Sequence, residues 1–509
     1  MVLTHHNDNT RTGTNLRERV LSPKTVSKST FGLRFSRAVE GYIYGQPLFV
    51  PKLAIGGKTR DVVFVATEHD DAYAFDAEDA SVGEPLWHVS FGPSIPSTDF
   101  DADQGTPYRD IIPELGVTST PVIDLARSTI YFFAQSKENG AYFNRLHALD
   151  LATGAERANS PVVISVSAPG TGQASDGGVV TIPPKFILQR PALAVDRDVL
   201  WIVGGGHGDF GPYHGWVMAF DQASLAPLGT MMTTPDGWAG GIWMAGNGPA
   251  IDENGDVYVE SGNGTWDATT SPPNLPEAFL RVRLERGASS RLSLVDWFSP
   301  FDHQKLDDDD LDLGSTGPIL IPGTKLVVGG GKAGKLYVLD RDKMGHVGVS
   351  DDSQIVQSFD AVTNELFAGP VYWAGPSGKR MYVLASMNPI RAFRFLGDRF
   401  ETTPIQTSTW VPPEGVPGGA MSLSANGDAP GTGILWALTQ ADPNMDGYIT
   451  GNAALHAFDA DDLGRELFSS QDEPANEVGK YAKFTVPTVA GGRVFVPTAA
   501  GALRVYGLK

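Results

Sequence analysis

One stretch of the chain, V-V-G-G-G-K-A-G-K-L-Y-V-L-D from Val327 to Asp340, carries the glycine and lysine spacing of a loop that cradles phosphate. Phosphate chemistry needs two more parts: a hydroxyl after the last lysine to hold magnesium, and a helix whose first N–H groups face the anion. Leu336 stands at the hydroxyl position, and a β-branched and aromatic run follows in place of a helix. The stretch therefore reads as a β-hairpin with Lys332 at its tip. A second stretch, D-P-N-M-D-G from Asp442 to Gly447, has the first half of a calcium loop, but Ala453 replaces the closing Glu. Asp442, Asn444 and Asp446 are candidate ligands of a structural calcium, the alternative being a plain acidic turn. His207 and His214 in H-G-D-F-G-P-Y-H could ligate a transition metal, although histidines on a hairpin more often pack or hydrogen-bond. His69, His147 and the H-H-N-D stretch at His5 carry a weaker metal signal. The G-x-S-x-G elbow of serine hydrolases does not occur.

Composition narrows the chemistry. The formal charge of −20 disfavours nucleic acid as a partner, because phosphate contacts need a basic footprint. The cysteine count of 0 removes disulfides, thiolate metal sites, cysteine nucleophiles and covalent haem attachment. No apolar run is long enough to span a membrane. The opening M-V-L-T-H-H-N-D has neither a basic start nor an apolar signal core, which is consistent with a cytoplasmic chain or a mature form whose signal has been removed.

The elements that must position any site recur along the chain. An apolar strand, a turn, a second strand and then Asp appear in V-V-F-V-A-T-E-H-D-D-A-Y-A-F-D, ending at Asp76. The same pattern returns at Asp150, Asp221, Leu284, Asp340, Arg394, Asp459 and Gly507. The spacing of about 50 to 75 residues is that of four-stranded propeller blades with insertions. Each copy follows an inner-strand signal such as G-Q-P-L-F-V-P or Q-R-P-A-L-A-V, with Pro near the strand start. The last copy lacks an outer strand, and F-G-L-R-F-S-R from Phe31 can supply it. The expected fold is all-β: an eight-bladed β-propeller over residues 1–509, one domain, closed by the N-terminal strand in the last blade. Residues 1–30 form an extended arm before that strand.

This topology sorts the loops. Starts of inner strands and turns between second and third strands share one face. That face collects Glu68 to Asp70, Ser136 and Lys137, His207 to His214, Asn263 to Asp267, Lys332, Asn388 and Asp442 to Asp446, with Gln46, Thr120, Arg190, Trp243 and Asp310 to Ser315 at strand starts. Its central mouth is the expected site.

Four elements from Gly204 to Gly345 then resemble the pyrroloquinoline-quinone (PQQ) alcohol dehydrogenases, in that family's chain order. G-H-G-D-F-G-P-Y-H-G-W-V-M-A-F-D is similar to the stretch that carries a calcium-binding Glu, with Asp209 in its place. G-G-I-W-M-A-G-N-G and the later S-G-N-G-T-W-D resemble the Trp floor and calcium-binding Asn, here Trp243 and Asn263. L-D-D-D-D-L-D-L-G resembles the Asp-x-Asp that holds the catalytic base, here Asp310 and Asp312. G-G-G-K-A-G-K-L-Y-V-L-D-R-D-K-M-G resembles the stretch whose cation contacts the quinone, here Lys332. The departures are the absence of the family's adjacent-cysteine disulfide, the Asp in place of Glu, and outer strands that have lost most of their Trp signature.

The resemblance implies an oxidoreductase that oxidises an alcohol or sugar with PQQ and calcium, and a secreted or periplasmic setting. Asp209 and Asn263 would be metal ligands, Trp243, Lys332, Arg190 and Thr120 cofactor contacts, and Asp310 or Asp312 the base. The partners would be a small-molecule substrate and an external electron acceptor. The set is chemically coherent, since calcium takes carboxylate and amide oxygens and an ammonium stabilises charge on a reduced quinone. The same mouth could instead serve a propeller lyase, isomerase or hydrolase without quinone, or a non-catalytic binding propeller.

Overall fold

A computed structural model describes residues 1–287, 289–443 and 451–509. Eight sheets of four or five strands are arranged as blades around an axis, each ordered from inner to outer strand. Blade 1 runs from Leu48–Ile55 to Trp87–Ser90, and blade 8 from Thr488–Ala490 outward. The expected closure is present: Phe31–Ala38 forms the outer strand of blade 8, antiparallel to Ala502–Leu508. Phe31 fixes that strand by packing on Trp436 and Phe468, with ring centroids 5.3 and 5.0 Å apart. No helix among the described residues is long and apolar enough to cross a membrane.

The core lies between blades. Alternating side chains on each sheet meet those of the next, as where Tyr131, Leu146 and Ile164 of blade 2 share a cluster with Leu200, Ile202 and Trp216 of blade 3. Each fully buried aliphatic or aromatic side chain contributes roughly 1.5–3 kcal/mol.

The N-terminal arm fills the axial channel. Val2 exchanges hydrogen bonds with Phe49 of blade 1, and Leu3 O accepts from Ile123 N of blade 2. Asn9 donates to Val195 O of blade 3 and accepts from Ile251 N of blade 4. Thr10 O, Thr12 O and Gly13 O accept from Leu320, Tyr372 and Leu423 of blades 5, 6 and 7, and Asn15 Nδ2 donates to Val489 O of blade 8. One segment, turning at residues 4–10, is thus bonded to the inner strand of every blade. His5, His6 and Arg11 lie buried at its centre. Inner-strand backbone meets many of the polar groups of this arm, while His5 Nδ1, His6 Nδ1 and Arg11 Nη2 are buried without a hydrogen-bond partner.

Candidate active site

The side chains at the mouth come from the two loop positions the topology singles out. Lys332 sits in the turn between Leu326–Gly330 and Lys335–Asp340, which pair antiparallel as a hairpin. The glycines there allow a close backbone approach: a Cβ on Gly331 would lie 2.2 Å from Asp312 O, and Lys332 N donates to that same oxygen over 3.0 Å. Asp209 tips the blade 3 hairpin and Asn263 the blade 4 hairpin. Trp243 and Asp310 to Asp312 lie in the segments that lead into blades 4 and 5.

Six of the residues singled out in the sequence, Asp209, Trp243, Asp310, Asp312, Lys332 and Arg190, line one cavity of about 370 Å³. One wall is oxygen-rich. Lys332 Nζ lies 2.5 Å from Asp312 Oδ2 and 3.0 Å from Asp310 Oδ1. Burial opposes the Lys332 charge, but the two carboxylates outweigh it and hold the ammonium above its ordinary value. Asn263 joins the same pair: its backbone N donates to Asp312 Oδ1 over 3.0 Å and its Nδ2 to Asp310 Oδ1 over 2.8 Å. Asn263 Oδ1 is buried with no hydrogen-bond partner. Asp209 opens into the cavity and accepts from Tyr213 OH over 2.8 Å. Desolvation by the surrounding walls, then the Asp312 charge, push its carboxyl upward. Behind them Glu277 is buried, accepts from Leu313 N over 2.6 Å, and is raised well above the usual carboxylate range by burial and then by Asp312.

The facing wall is cationic and comes mostly from residues without a sequence signature. Arg190 Nη2 lies 2.7 Å from Asp110 Oδ2, and Lys483 Nζ pairs with Asp110 Oδ1. Asp110 arrives on an insertion between blades 1 and 2, and Lys483 on the lead-in to blade 8. Burial penalises the Asp110 carboxylate, but Lys483 and Arg190 hold it well below the usual range. The wall therefore carries one net positive charge. Between the walls, Trp243, Phe367 and Phe484 make an aromatic floor with centroids 5.8–6.2 Å apart. Lys332 Nζ is 5.8 Å from the Trp243 ring, and the Arg190 guanidinium 5.0 Å from that of Phe484.

Other expected residues lie elsewhere. Thr120 lines a small hollow behind Arg190, and its Oγ1 accepts from Gln46 N over 2.8 Å. Asp442 is exposed at the blade 7 hairpin and accepts from Asn452 Nδ2 over 3.4 Å. Asn444 and Asp446 lie outside the described residues. His207 is buried, donates Nε2–H to Ile187 O over 3.1 Å and faces Tyr108 OH at 3.1 Å. Burial lowers its pKa to about 4. His214 is buried between Thr234 and Gln173 O, each 2.9 Å away. Both histidines serve hydrogen bonding and packing.

No protein-family profile matches the chain, and no curated protein sequence matches it. Solved structures do. A quinohemoprotein alcohol dehydrogenase from Comamonas testosteroni superposes with a TM-score of 0.57 at 14% identity, over 99% of this chain and 80% of that one. A quinohemoprotein alcohol dehydrogenase from Pseudomonas putida superposes with a TM-score of 0.55, also at 14% identity and over 99% and 80% of the two chains. The chain has the eight-bladed β-propeller fold of the quinohemoprotein alcohol dehydrogenases.

Proposed function

We propose that the mouth binds PQQ together with calcium and oxidises an alcohol or a sugar, with electrons leaving to an external acceptor. One observation carries the reading: a single cavity joins an oxygen-rich wall, a cationic wall and an aromatic floor, which suits a flat polyanion that chelates a metal. The donor set fits calcium, since it is all oxygen and includes the unpartnered Asn263 Oδ1 beside Asp310. Asp209 and Asn263 would hold the cation, with Asp310 beside them. Arg190 and Lys483 would meet carboxylates of the cofactor, and Trp243 would lie against its plane. When bound, the quinone would supply the two-electron sink that no side chain in this cysteine-free site offers.

The chain's own residues handle binding and the proton. Asp310 reaches solvent, with its side chain 66% exposed, and can accept the proton of a substrate hydroxyl. Asp312 is buried between Lys332 and the Asn263 N–H, so it positions the lysine. Lys332 supplies positive charge where negative charge develops. This reading sets the protein in a periplasmic or secreted compartment.

The test is dye reduction with a panel of primary alcohols and aldoses after loading with PQQ and calcium. Asp310→Asn should retain PQQ and lose about 10²–10⁴-fold in kcat. An unchanged kcat in Asp310→Asn would remove it as the base. A second reading, a quinone-free lyase or hydrolase, draws on the pairing of Lys332 with both Asp310 and Asp312, an acid–base set that needs no quinone. Turnover without added PQQ would favour it.

A further inference from the structure

Away from the mouth, a histidine and two carboxylates converge where blade 8 meets blade 1. His69 lies in the blade 1 hairpin turn, Asp71 begins the strand after it, and Glu40 follows the closing strand of blade 8. One ligand atom from each lies within 4.8 Å of the other two. His69 Nε2 faces Glu40 Oε2 at 3.3 Å, while its Nδ1 faces Glu114 Oε1 at 2.9 Å. That second contact is the carboxylate partner which, in metal sites, fixes the tautomer and turns the other nitrogen toward the ion. Asp71 is buried, its Oδ1 has no hydrogen-bond partner, and its Oδ2 accepts from Tyr73 OH over 2.9 Å. His88 sits directly across the sheet from Tyr73, stacked on its ring at 4.4 Å, with Nε2 3.1 Å from Asp71 Oδ2. The orphaned Asp71 oxygen is an observation independent of the clustering.

We infer that His69, Asp71 and Glu40 form a binding site for a divalent transition cation of the zinc type, with Glu114 orienting His69 and His88 beside Asp71. The imidazole nitrogen selects against calcium and magnesium, and three protein ligands of mixed N and O type suit zinc. Two carboxylates balance the charge of the ion. The ligands come from separate segments: the connector after blade 8, the blade 1 hairpin and the strand behind it. Glu114 adds the insertion that brings Asp110 to the mouth. The ion would therefore act as a clamp at the closure of the ring.

The test is calorimetry of the full chain with zinc alone, after chelator treatment, followed by the visible spectrum with cobalt in its place. The expected result is one zinc per chain, a cobalt band that zinc displaces, and a higher melting temperature with zinc. His69→Ala should weaken zinc by more than about 100-fold and Glu114→Gln by about 10–100-fold. Glu40 has a 75% exposed side chain, so Glu40→Gln keeps the fold and isolates the ligand role. No zinc bound by the wild type, or zinc affinity unchanged in both Glu40→Gln and His69→Ala, overturns the proposal.

Discussion

The two ends of the axial channel are built from opposite materials. At the mouth, charges face a cavity and one another: the Asp312 charge repels that of Asp209, and Lys332 is shared by Asp310 and Asp312. At the plugged end, the charge of Arg11 is fully buried and bonded to fixed protein oxygens. Its Nε donates to Pro249 O over 3.0 Å, and its Nη1 to Thr4 Oγ1 and His5 O, each over 2.8 Å. The lesson is one of division. The plug stabilises the ring and leaves one end open, while the mouth gives up some stability to keep polar groups available for a ligand.

The first way to break this comparison is to remove the plug. We propose that the propeller is one cooperative unit. Deleting residues 1–40 strips the channel segment and the outer strand of blade 8 together, and exposes a sheet edge. The expected outcome is aggregation on size exclusion. A soluble truncation with wild-type melting would contradict the account.

Smaller changes separate the two ends. Arg11→Ala should cost roughly 3–4 kcal/mol, because charge-assisted hydrogen bonds are lost and buried acceptors are left bare. Denaturant unfolding would measure it. At the same end, burial lowers His6 to about 4 and His5 well below its ordinary range. The unfolded chain then binds more protons than the native one below pH about 6.5. Stability should fall as pH drops from 6.5 toward 4, by roughly 3 kcal/mol for His6, and the slope should flatten in His6→Asn. The mouth has the opposite sign. Asp209 is raised, so its penalty is present once pH exceeds the unfolded value near 3.8 and is relieved as acid protonates it. Asp209→Asn keeps the acceptor for Tyr213 and removes the repulsion. Because the group is open to solvent, the gain at neutral pH should be no more than about 0.5 kcal/mol, with metal and cofactor binding lost. A clear destabilisation would assign Asp209 to structure.

Much of the ring was legible because each blade carries its own strand–turn–strand–Asp unit, a local signal. Outer strands such as Val162–Val163 and Gln406–Thr407 were not, since two paired residues leave no pattern. The arm was not legible as a plug, because T-H-H-N-D-N-T-R-T-G is polar and its burial depends on backbone groups from every blade. At the mouth, Asp209, Trp243, Asp310, Asp312 and Lys332 stood out through motif resemblance, and Arg190 through topology. Asp110 and Lys483 did not, since they lie 373 positions apart and meet only when the ring closes. A rule was available for some of those missed. Arg190, Trp243, Asp312, Phe367 and Lys483 each stand within six residues before the proline that opens an inner strand, at Pro191, Pro249, Pro318, Pro370 and Pro487.

The most direct test of the central claim is a titration of the full chain with PQQ in calcium, followed by calorimetry and by the absorption of the quinone. The account predicts saturable binding at roughly micromolar concentration or tighter, abolished by chelator and by Asp209→Asn. Absence of binding in calcium, or binding that survives both treatments unchanged, would contradict it.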